Sequence, residues 1–149
     1  MPVLKFTPPA EFVEEELMTT WRVPYVPDLK EPRMLQRQMP VRPNLVVHRR
    51  TVGEKDLADV TASVCDQLMK SIDGLSKIAT SELVFKDGVS GMLLEYSFPA
   101  VGSYEVVQLH AMRLDGEVLT SLTLCTEGSR ITPEVHRQYR ECLSSATVG

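Results

Sequence analysis

Residues 76–125 read SKIATSELVFKDGVSGMLLEYSFPAVGSYEVVQLHAMRLDGEVLTSLTLC, and this stretch decides the fold. It is rich in β-branched and aromatic residues and is interrupted by Asp87-Gly88, Pro99–Gly102 and Asp115-Gly116. Such punctuation divides it into four strands, Ser76–Phe85, Val89–Phe98, Tyr104–Leu114 and Val118–Cys125. Asp-Gly tolerates the positive φ of a type I′ turn, so Asp87-Gly88 predicts a two-residue hairpin. Connections this short force neighbouring strands to run antiparallel.

Upstream, Asn44–Thr51 (NLVVHRRT) reads as a further strand. Thr51-Val-Gly-Glu54 fits an S/T-x-x-E capping box, and Leu57, Val60, Val64, Leu68 and Ile72 follow at spacings of three and four. A helix over roughly 54–73 is predicted, with Asp56, Asp59, Asp66 and Lys70 on its polar side and Gly74 as its stop. Downstream, Thr132-Pro133-Glu134 supplies an N-cap, an N1 proline and a first-turn acid. The last helix carries Val135, Tyr139, Cys142, Leu143 and Ala146 on one face. Neither helix can bury its apolar stripe alone, so both must pack on the sheet. The expected fold class is α+β, an antiparallel sheet with two packed helices.

The first third differs in composition. Residues 1–43 hold eight of the ten prolines and are expected to form short extended pieces, Phe12–Leu17 and Trp21–Val26, then an irregular loop over Asp28–Arg42. They belong to the same domain as the regular core, 44–149; a chain of 149 residues suits one domain.

With 43% hydrophobic and 24% charged residues the chain is of ordinary globular composition. A net charge of -4 offers no basic field for nucleic acid, and His48-Arg49-Arg50 is too short to make one. Cys65, Cys125 and Cys142 form no CxxC pair and read as reduced packing residues. Glu11, Glu14, Glu15 and Glu16 break any N-terminal apolar run, and no later segment reaches the length of a spanning helix. A cytoplasmic protein that does not itself enter a membrane is expected.

Chemistry-bearing motifs are missing. His48, His110 and His136 show no HxH or HExxH spacing, which predicts no metal site; His136 reads as a solvated helix residue. There is no GxSxG, Walker or GxGxxG pattern, and nothing in the sequence pairs with Glu95. No catalytic residue and no cofactor is expected. The strands instead alternate between an apolar and a mixed side: Leu119, Ser121 and Thr123 oppose Val118, Leu122 and Leu124, and Val106, Gln108, His110 and Met112 oppose Val107, Leu109 and Ala111.

The order NLVVHRR strand, capped helix, Asp-Gly-linked strands and TPEVHRQYRECLSSA helix resembles the DcrB-like family, with its PsbP-like α/β/α sandwich, and within it the Eag chaperones of bacterial type VI secretion. Residues 44–146 carry the similarity. The resemblance implies a cytoplasmic homodimer whose sheets line a groove shielding the apolar N-terminal helices of an effector protein. Val46, His48, Leu93, Gln108, His110, Leu119, Ser121 and Thr123 would line that groove. A register error of one residue would reverse the face. Two other readings stay open: a non-catalytic interaction subunit of a secretion or signalling assembly, and a small-molecule binder or hydrolase built on Glu95 or His110.

Overall fold

The hairpin run behaves as its turn residues require, with one change of turn type. A computed structural model describes residues 3–23, 42–99 and 104–149. Among them the strands are β1 (Leu4–Lys5), β2 (Val13–Glu16), β3 (Thr20–Arg22), β4 (Asn44–Thr51), β5 (Ile78–Val84), β6 (Ser90–Pro99), β7 (Glu105–Asp115), β8 (Val118–Glu127) and β9 (Thr147–Val148). The helices are α1 (Leu57–Ser71) and α2 (Pro133–Ser144). Seven strands form one antiparallel sheet in the order β2-β3-β4-β8-β7-β6-β5, and β1 pairs with β9 in a separate ribbon. The fold is α+β, as the sequence predicts.

At the β7–β8 turn, Asp115 pairs with Val118 around Gly116-Glu117, and only the glycine has positive φ (62°). That combination is the II′ arrangement, which wants glycine first. The expected I′ turn at Asp87-Gly88 does not form. The Gly88 amide donates to the Phe85 carbonyl at 2.8 Å and the Phe85 amide to the Val89 carbonyl at 2.9 Å, enclosing three residues with Gly88 alone left-handed. Asp87, whose φ is not positive, accepts from Arg113 in this turn.

Each sheet face carries one helix. On one face Leu45, Val47, Leu93, Leu109, Ala111, Leu122 and Leu124 pack with Tyr139, Cys142 and Leu143 of α2. Phe6 and Trp21 extend this cluster edge to face, with ring centroids 4.7 Å apart. On the other face Leu94, Tyr96, Met112 and Leu119 pack with Val60 and Val64 of α1. The result is three layers, helix on sheet on helix.

Helix α2 starts as expected: the Thr132 hydroxyl accepts from the Val135 amide at 3.2 Å, and Pro133 sits at N1. Helix α1 does not use the capping box. Thr51 pairs with Val118 as the last residue of β4, so Asp56 becomes the N-cap and accepts from the Asp59 amide at 2.8 Å. The helix therefore begins at Leu57, three residues later than expected. It ends at Ser71, with Gly74 two residues beyond its C-cap, Ile72. Gly74 is still required there, because its φ is 82° and a Cβ would lie 2.6 Å from the Pro99 ring.

The first N-terminal piece is shorter than the expected Phe12–Leu17, since Met18 takes φ 61° at the β2–β3 turn and a register shift interrupts β2 between Glu14 and Glu16. Positions 24–26 and nearly all of the expected loop 28–42 lie outside the described residues. Arg42 is described, and it ion-pairs with Glu15 at 3.7 Å.

Candidate functional site: an open strip on the sheet

The α1-bearing face is wider than its helix. Cross-strand register places Val46 opposite Thr123 and Thr123 opposite His110, while His48 faces Ser121 and Gln108 faces Cys125. Val46, His48, Gln108, His110, Ser121 and Thr123 thus share one strip over β4, β8 and β7, beside α1. Val46 is 41% exposed, His48 is exposed, and the other four are half-buried. No carboxylate, ammonium or guanidinium projects from these six positions. Arg22, paired with Glu15 at 3.4 Å, flanks the strip at the β3 side, and Arg50 at the far end of β4.

Two expected positions fall elsewhere. Leu93 pairs opposite Ala111 and is wholly buried in the α2-side core, so it belongs to the other face. The residue opposite His110 on β6 is Leu94. Both sides of β6 are apolar, and the pattern alone could not choose between them. Leu119 has the expected facing, but at 1% exposure it is sealed in the cluster beneath α1 and lines nothing open.

The chemistry of the strip is that of a neutral surface. Both His110 ring nitrogens are buried without a hydrogen-bond partner, and burial pushes its pKa down to about 4, so the ring is neutral at neutral pH. Gln108 points its amide at Cys125 Sγ, 3.6 Å away, a weak contact that leaves amide capacity over. Burial raises the Cys125 thiol and the Tyr96 hydroxyl above their usual ranges, which makes both poor nucleophiles. Outside the strip, by the β2–β3 turn, Val3, Leu4, Met18, Thr19, Val47, His48 and Arg49 surround a largely apolar cleft of about 470 Å³, and Leu4 and Val47 of this lining belong to the α2-side core.

Two side-chain clusters escaped sequence reading. Glu95 does have a partner: it hydrogen-bonds His136, which is half-buried against β6 and not a freely solvated helix residue. The two lie 41 positions apart, so no local pattern could have joined them. Arg113 is 1% exposed and its guanidinium spans Asp87 and Asp115, while Nη1 also donates to the Ala146 carbonyl at 2.8 Å. It stacks over Phe85 at 4.9 Å and locks the β5–β6 turn to the C-terminal segment. Among the described residues no group of three or more His, Cys, Asp or Glu is placed to hold a metal.

Solved structures share this architecture. LpqN of Mycobacterium tuberculosis, involved in cell envelope biogenesis, superposes with a TM-score of 0.63 at 16% identity, over 99% of this chain and 84% of its own. PA94 of Pseudomonas aeruginosa, a protein of unknown function, superposes with a TM-score of 0.59 at 17% identity, over 69% of this chain and 70% of its own. At such identities the likeness is one of fold. No family model and no curated protein matches the chain. Among the described residues no helix is long and apolar enough to cross a membrane.

Proposed function

We propose that this chain is a non-catalytic chaperone or adaptor that shields an apolar N-terminal helix of a type VI secretion effector. The observation that carries the reading is the uncharged strip of Val46, His48, Gln108, His110, Ser121 and Thr123, open beside α1. Three adjacent strands at ~4.8 Å spacing make a strip about as wide as one α-helix, ~10 Å. Apolar and small hydroxylated side chains on such a strip can replace lipid contacts for a helix that would otherwise expose its surface to water, at about 25 cal/mol per Å² removed. The resemblance of residues 44–146 to the Eag chaperones names the client class and the cytoplasm as the compartment.

The strip is shorter than a membrane helix. From Asn44 to His48 it runs ~14 Å along the strands, against ~30 Å for a twenty-residue helix. Two copies in a homodimer would supply the missing length, which supports the dimer that the resemblance implies.

The test is a pull-down of the tagged chain from its native host, read by mass spectrometry and followed by deletion mapping. Co-purification of one effector, lost when its apolar N-terminal segment is removed, is the expected result. Recovery of soluble partners only, with no apolar helix, would instead favour the interaction-subunit reading. That second reading draws on one feature, the seven-residue edge β5, which has no neighbour on its outer side among the described residues.

A further inference from the structure

Among the described residues four buried side-chain nitrogen or oxygen atoms lack a hydrogen-bond partner, and two of them are Nδ1 and Nε2 of His110. The other two are Arg22 Nε, on a guanidinium whose Nη1 pairs with Glu15, and the Thr126 hydroxyl, on the opposite face of the sheet beside the α2-side core. Around His110, Thr123 and Leu94 are the cross-strand neighbours, and neither Thr123 nor Gln108 bonds to it.

A neutral imidazole carries one N–H donor and one lone-pair acceptor. Burying both unmet costs free energy that an apolar residue of similar size would avoid. The cost falls within the strip, one strand from Thr123 and two from the exposed Val46.

We propose that His110 sets the client specificity of the strip by taking the hydroxyl of a serine or threonine on an apolar helix lying along β8. This rests on the helix-shielding reading and adds to it a required client side chain. A hydroxyl both donates and accepts, so it satisfies either ring nitrogen in either tautomer. A carboxylate or ammonium would enter a neutral, poorly solvated site with no opposite charge to meet it. Both ring nitrogens are buried, so contact with the occupant requires the His110 ring to turn toward it on binding. Helices made only of leucine and alanine leave the imidazole as it stands and bind less well.

The experiment uses the full chain and two synthetic twenty-residue leucine/alanine peptides with lysine ends, identical except for serine or alanine at the centre, followed by fluorescence anisotropy. The wild type should bind the serine peptide about five- to tenfold more tightly, the size of one net hydrogen bond. His110→Leu should bind both within about twofold of each other, and His110→Gln, which keeps a donor and an acceptor, should retain the preference. The ¹⁵N shifts of the His110 ring should move with the serine peptide and not with the alanine peptide, a readout that needs no variant. Equal binding of both peptides by the wild type, or an unchanged preference in His110→Leu, overturns the role of His110 and leaves helix shielding standing. Failure of the wild type to bind either peptide overturns helix shielding and this proposal together.

Discussion

Replacing Arg113 by methionine isolates the buried charge cluster, because methionine keeps the apolar stem while deleting the guanidinium. The wild-type group bonds Asp87 at 2.8 and 3.1 Å, Asp115 at 2.8 and 2.9 Å, and the Ala146 carbonyl at 2.8 Å. Removing one partner of a buried pair costs about 3–5 kcal/mol, since the other charge is left uncompensated. Asp87 and Asp115 are about a quarter exposed and can rehydrate, so the lower end, ~3 kcal/mol, is expected. At a urea slope of ~2 kcal/mol per M the midpoint should fall by ~1.5 M. The pH dependence should change as well. The Arg113 guanidinium holds the Asp87 carboxyl below its usual range, so its stabilisation is present above the unfolded-state value near ~4 and is lost as pH falls through the lower folded value. In Arg113→Met that acid-side loss should vanish, leaving a flatter stability curve below about pH 4. Urea titrations at several pH values measure both effects. A midpoint shift under ~0.5 M, with an unchanged acid limb, would refute the view that this cluster ties the turn to the C-terminal segment.

Other perturbations probe the layers and the strip. Gly91→Ala should destabilise by ~2 kcal/mol or more in thermal unfolding, because its Cβ would run into the Met112 carbonyl and the Phe85 ring. Thr132→Ala should cost ~1 kcal/mol by loss of the α2 cap, read in the same assay. Thiol titration should label Cys65, which is half-exposed, well before Cys142, whose burial pushes the thiol up to about 12. Gln108→Arg should abolish binding of an apolar helix while leaving the circular dichroism spectrum intact, as the change falls on a half-buried strip position outside the packed core.

The elements that could be read from sequence are those whose pattern is local. β4 begins and ends where Asn44–Thr51 predicts, and the Thr132-Pro133 start of α2 is written in adjacent residues. The α1 face of Val60, Val64, Leu68 and Ile72 follows from helical spacing. Features decided by distant partners were not legible. Thr51 and Asp56 compete to cap α1, and pairing of Thr51 with Val118 settles the competition. Leu93 and Leu94 are equivalent to the eye, and the register of β6 against β7 assigns them to opposite faces. The two-residue strands β1 and β9 carry no periodicity and exist because Leu4 meets Val148. Six of the eight expected groove residues share the strip because β4, β7 and β8 alternate cleanly.

The most direct test of the account is photo-crosslinking of the full chain to a synthetic twenty-residue apolar helix. A benzophenone amino acid would replace Val46 on the strip, or Met69 on α1 or Val84 on β5; all three are exposed, at 41%, 45% and 57%. Crosslinking from position 46 alone is the predicted result, since Met69 and Val84 are at least as exposed and only position 46 lies on the strip. Equal crosslinking from all three positions, or none from 46, would contradict the claim that this face of the sheet receives an apolar helix.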